Sequence, residues 1–200
     1  QLDDRALFLE RWRKLLLDTL ADQPGQSSSS RRGEMRGLVE TGWTGRASID
    51  SVGYRLVREY RREVRNRVFE AILAPCAAAD ERFDAGELRQ LEGPLWKLVT
   101  ERPAHLLDPR HRTWDDLLLA AADAVLAPYE GEPLSERTWG ERNTSRIRHP
   151  LSGALPFAAR WLDMPPRPLS GDVDMPRLQG PGFGSSERIV VSPGKEEAGY

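Results

Sequence analysis

A run of apolar residues at strict four-residue spacing constrains the fold most: Val52, Leu56, Tyr60, Val64, Val68 and Ile72, flanked by Val57, Phe69 and Leu73. A helix turns once every ~3.6 residues, so a step of four drifts slowly around its axis. The spacing predicts a long helix over residues 51–74 with a winding buried stripe that uses both the Val57 and the Phe69 edge. Ser48, Asp50 or Ser51 offers its N-cap, and Pro75 is expected to end it. Arg58, Arg61, Arg62 and Arg65, with Glu59 and Glu63, fall on the other side. Interleaved signs predict a solvated, ion-paired face. An uncovered row of Arg would suit phosphate or nucleic acid instead, but the formal net charge of −2 argues against such a partner.

Further helices are expected around this one. Over 3–22, Phe8, Trp12, Leu15, Leu16, Thr19 and Leu20 recur on one side, and Asp3 or Asp4 can cap the start. A flexible polar connection is expected over 23–33, because its Ser, Gly and Gln residues bury too little surface to offset ordering entropy. Met35, Leu38 and Val39 suit a short helix over 34–41 that ends near Gly42. Trp43-Thr44-Gly45-Arg46-Ala47-Ser48 reads as a turn with a tryptophan in the core. Over 85–101, Gly93-Pro94 interrupts the set Leu88, Leu91, Leu95 and Leu98, giving two short helices or one kinked helix. Thr113 and Asp116 form a capping box for a helix to about residue 127, with Leu117, Leu118, Ala121, Ala124 and Val125 on its face.

Residues 1–130 therefore read as a helical region, and 131–200 as a different, Pro/Gly-rich one. There, short extended runs are expected at 143–149 and at 186–192, where Ile189-Val190-Val191 suits a strand. A short helix is expected from Leu155 to Leu162, with Phe157, Trp161 and Leu162 inward. The fold class is α+β, predominantly helical with a few short strands in the C-terminal third. Cys76 is the only cysteine, which excludes an intrachain disulfide, and a small buried hydrophobe is its expected role. No stretch approaches the ~20 apolar residues of a membrane span. His105, His111 and Asp108 lie close in sequence but lack a metal-binding spacing.

Four pieces carry a family resemblance: Trp43-Thr44-Gly45-Arg46; Trp139-Gly140 with Arg148-His149-Pro150-Leu151; Gly171-Asp172; and Ser185-Ser186-Glu187-Arg188-Ile189-Val190-Val191. In this order they resemble the C-terminal part of the β chain of the penicillin acylase (penicillin amidase) family of N-terminal-nucleophile hydrolases. The resemblance implies a fragment of an αββα architecture. It implies cleavage of an N-acyl amide through an acyl-enzyme on an N-terminal Ser. It implies that this chain's partners are the remainder of the same precursor, the α chain and the N-terminal part of the β chain, and that the parent's substrate is a small N-acyl amide. A periplasmic or secreted location is implied as well. Gln1 cannot serve as the nucleophile, so the reactive Ser, the oxyanion donors and the family's calcium ligands are expected upstream. No cofactor and no catalytic residue is expected within this chain, which alone should be inactive.

Three candidate binding residues stand out in the matched pieces: His149, Asp172 and Arg188. His149 precedes a proline and is held extended; a structural role is expected. Asp172 suits a turn after Gly171. Arg188, on its expected strand, would pair a buried carboxylate such as Asp172. Trp43, Trp139 and Trp161 are expected to fill the core. A non-enzymatic helical interaction domain is the alternative reading. A fragment should leave a broad apolar surface and unpaired edges at 143–149 and 186–192, whereas an independent domain should not.

Overall fold

The computed structural model describes residues 5–21, 30–173, 175, 180–184 and 194. Seven α-helices occur among them: α1 (Leu9–Ala21), α2 (Arg31–Thr41), α3 (Val52–Ala79), α4 (Glu92–Glu101), α5 (Trp114–Leu126), α6 (Trp139–Arg142) and α7 (Ala159–Leu162). The fold is predominantly helical, and only isolated β-bridges occur among the described residues. α3 is the central element, with α1, α2 and α5 packed on it and on one another.

The winding stripe of α3 is buried through Leu56, Tyr60, Val64 and Val68, and both edges are used: Val57 is fully covered and Phe69 packs against the core. Ser51 is the N-cap, accepting from the Tyr54 N–H at 3.2 Å. Pro75 does not end the helix, which continues to Ala79. A proline removes one hydrogen bond and crowds the preceding turn. Here the cost falls on a solvent-exposed end followed by three alanines, the strongest helix formers. Cys76 lies on this extension and is exposed, not buried as expected.

α1 buries Leu9, Trp12, Leu16 and Leu20; its expected caps, Asp3 and Asp4, lie outside the described residues. Asp22, the expected end of this helix, and residues 23–29 of the polar connection also lie outside. Its end is helical, because Ser30 caps α2 by accepting from the Gly33 N–H at 3.1 Å. Gly42 ends α2 as expected. The break near Gly93-Pro94 is a helix start: a 3₁₀ turn (Ala85–Glu87) precedes α4, and Pro94 sits in the first turn of α4. The missing N–H of Pro94 would have had no partner there in any case. The α5 capping box forms in full, each of its two hydrogen bonds being 3.0 Å. α5 buries Ala122 where Ala124 was expected.

In the C-terminal third, 143–147 runs antiparallel to 164–169 without becoming a strand. Leu169 N–H donates to Asn143 O, Ser145 N–H to Arg167 O, and Met164 N–H to Ile147 O. Pro165, Pro166 and Pro168 have no N–H to donate, so the pairing reduces to one bridge between Thr144 and Pro168. The edge expected to be open at 143–149 is thus largely paired; that at 186–192 lies outside the described residues. Residues 155–162 form a 3₁₀ turn and then α7, but facing outward: Phe157 is 74% and Trp161 67% exposed. This corrects the expected inward packing of Phe157, Trp161 and Leu162.

Candidate functional site

The polar centre of the molecule is built on the first turns of α3. Arg58 and Glu59, expected near solvent, and Arg55 beside them are covered by the residues that follow α5. Asp172, 2% exposed, lies against this helix. Arg58 donates from Nε to Asp172 Oδ2 at 2.8 Å and from Nη2 to Oδ1 at 3.3 Å. The Tyr54 hydroxyl donates to the same carboxylate at 3.0 Å, and the Val173 N–H at 2.7 Å. Burial pushes the Asp172 carboxyl up, but the bonds and charge of Arg58, with the Val173 and Tyr54 donors, outweigh it and hold its pKa below the ordinary carboxylate range.

Trp139 and Gly140 lock this carboxylate in place. Trp139 Nε1–H donates to Gly171 O at 3.0 Å, and the Gly171 N–H donates to Ala47 O at 2.9 Å. Gly171 has φ +84°, the left-handed conformation that favours glycine. Asn143 Nδ2 donates to Leu169 O and Gly171 O. Gly140 has no room for a side chain: a Cβ there would lie 2.7 Å from Ile49 O and 2.9 Å from Pro168 Cβ. Trp139 also packs edge-on to Tyr54, with ring centres 5.2 Å apart, and Tyr54 stacks on Trp43. The Trp-Gly, Gly-Asp and Trp-x-Gly-Arg pieces, far apart in sequence, therefore meet on one side of α3.

A second cluster lies beside it on the same helix. Arg55 reaches Glu141 Oε2 at 2.6 Å, the Tyr129 hydroxyl at 2.7 Å and Thr138 O at 3.0 Å. Glu59, 5% exposed, accepts from Arg142 Nε at 2.8 Å. A third cluster centres on Glu92, which accepts from Arg11, Trp12 and Arg61 at 2.6, 2.7 and 2.8 Å. Burial pushes the Glu92 carboxyl up, and these three donors more than reverse it. Arg55, Arg58 and Arg61 of α3 are thus committed to carboxylates and do not form an open cationic row.

The three candidates from sequence have different fates. Asp172 is the buried centre of the first cluster. His149 is exposed and caps a 3₁₀ turn (Pro150–Ser152), its Nδ1 accepting from the Leu151 N–H at 3.1 Å. Its own N–H donates to Asp163 Oδ1, which also accepts from the Ser152 hydroxyl. This is a Ser, His and Asp group without catalytic geometry, since the serine hydroxyl donates to the aspartate and the imidazole Nδ1 accepts a hydrogen bond from a backbone N–H. Arg188 lies outside the described residues; the partner found for Asp172 is Arg58. Sequence reasoning missed Tyr54, Arg58, Arg55 and Glu59 as buried partners. Tyr54 and Arg58 are four apart and share a helix face, which was a legible signal. No group of His, Cys, Asp and Glu among the described residues is arranged to hold a metal ion. Asp108, between the two histidines at 105 and 111, is held by Arg110.

The sequence model of the penicillin amidase family matches residues 1–200, the whole chain. The chain belongs to the penicillin amidase family. No curated protein matches it. Membership in the penicillin amidase family places the chain in an amide-hydrolase class of function. The family is commonly periplasmic or secreted, and no helix among the described residues is long and apolar enough to cross a membrane.

Proposed function

We propose that this chain is the C-terminal scaffold portion of a penicillin-amidase-type hydrolase, with the reacting groups supplied by an upstream part of the same precursor. In that reaction the hydroxyl of an N-terminal Ser attacks the acyl carbonyl of a small N-acyl amide. Its own α-amine takes the proton through a water, upstream donors hold the oxyanion, and the amine leaves. Water then cleaves the ester and releases the acid. The upstream part would also carry the family's calcium site and complete the αββα layers. The observation that carries this reading is the apolar shelf of Leu151, Leu155, Phe157, Trp161 and Met164, every one exposed. These side chains sit on or beside short helices that pack on one another, and exposed apolar patches of this kind mark interfaces. The saturated Asp172, Glu59 and Glu92 clusters support it too, since their hydrogen-bonding groups serve each other.

The test is hydrolysis of a chromogenic phenylacetyl amide. The pure 200-residue chain is expected to show none. Co-expressed with its upstream coding sequence, it should co-purify with that part, and the complex should release the chromophore. Turnover by the chain alone, abolished by a substitution within it, would overturn the proposal.

A further inference from the structure

The second half of α3 differs from the first in one respect that points to a ligand. Past Ile72 the helix leaves the core, and the segment after it folds back to form an open groove of 680 Å³. Phe69, Leu73 and Ala77 form one wall, at four-residue spacing on one helix face, and Phe83 and Leu91 form the other. Ala77 is present only because α3 continues through Pro75. A space of this size lies within the roughly 300–1,000 Å³ of small-molecule sites. At its rim stands Arg65. Arg55, Arg58, Arg61 and Arg62 of the same helix each hold a carboxylate. Arg65, by contrast, has no carboxylate, carbonyl or ring partner among the described residues. The acidic residue of the lining, Glu70, is already answered by Arg110 at 3.3 Å. The groove therefore offers apolar walls and one uncommitted guanidinium, whose planar fork matches a carboxylate.

We infer that this groove binds an amphiphilic carboxylate, its apolar tail between Phe69, Leu73 and Phe83 and its head on Arg65. The site rests on these residues alone and does not depend on the amidase reading.

Calorimetric titration of the full chain with octanoate, octanol and octylammonium tests it. Octanoate should bind saturably, octanol about tenfold more weakly, for loss of one charged hydrogen-bond pair, and octylammonium more weakly still. Arg65→Gln should bring octanoate down to the octanol level and leave octanol unchanged. Ala77→Trp, at an exposed position, should fill the groove and lower binding of both. Phe83→Ala should weaken both as well, and it keeps the test decisive should the tryptophan variant misfold. Absence of saturable octanoate binding to the wild-type chain would overturn the inference. So would equal binding of all three probes, or octanoate affinity unmoved by Arg65→Gln.

Discussion

Trp139 and Trp161 are the same residue type, both expected in the core, yet one is 2% and the other 67% exposed. The difference lies in what surrounds each. Trp139 is flanked by a glycine that lets Ile49 and Pro168 close over the backbone, and its indole N–H has a fixed acceptor in Gly171 O. Trp161 sits on the four-residue α7, with Arg160 stacked 3.7 Å above its ring and exposed apolar neighbours around it. The first belongs to a body whose polar groups are answered internally. The second belongs to a shelf whose apolar groups are not. Under the proposed function, the shelf is where the upstream part would cover the chain.

The most direct way to break this comparison is Trp139→Ala. It empties a fully packed site and leaves the Gly171 carbonyl short of a donor. Large-to-small changes of this kind cost about 4 kcal/mol. Denaturant unfolding should show a large drop in midpoint at unchanged slope. A loss below about 1 kcal/mol would mean that Trp139 does not hold the body together.

A smaller effect is expected from Asp172→Ala. It strands Arg58 and the Tyr54 hydroxyl, and breaking a buried pair costs about 3 kcal/mol. The pH dependence supplies a sharper check. The folded pKa of Asp172 is depressed below its unfolded value. Its contribution is therefore complete above the unfolded carboxyl range, near ~4, and is lost as pH falls through the lower folded value. The wild-type chain should lose stability on acidification below about pH 4. The Ala variant should lose less over the same window, keeping the part due to Glu92, whose pKa is lowered too. Parallel curves would remove Asp172 from the acid response.

How much of this could be read from sequence follows from the range of the interactions. The α3 stripe, the Thr113–Asp116 box and the Ser51 cap are local, set by residues three or four apart, and all were legible. The end of α3 was not. Pro75 is a strong local signal, but the exposure and alanine content that let the helix pass it depend on the surroundings. The burial of Arg58 and Glu59 escaped for the opposite reason: their charges read as solvent-facing until Asp172 and Arg142 arrive from the far end of the chain. Asp172 was singled out through its family motif; the shared face of Tyr54 and Arg58 was legible, but that Asp172 meets them there could be named only from the fold. The shelf was misread because the apolar spacing of Phe157, Trp161 and Leu162 marks a helix face but does not say whether this chain packs against it.

The smallest effect sharpens the comparison most. Trp161→Ser in the pure chain should change unfolding free energy by no more than about 0.5 kcal/mol, as for surface sites with no buried contacts. Exposure gives it little to lose: its ring contributes to no core, and its cation–π partner Arg160 is free to rotate into water. In the complex with the upstream part, the same substitution should be costly. An apolar aromatic covered by a partner is the kind of residue that dominates interface energy, at about 2 kcal/mol or more. Pull-down of the co-expressed pair, beside unfolding of the isolated chain, reads both quantities from one variant. A normal complex would show that the shelf is not where the upstream part docks. A strongly destabilised isolated chain would show that Trp161 is packed after all, and the contrast with Trp139 would disappear.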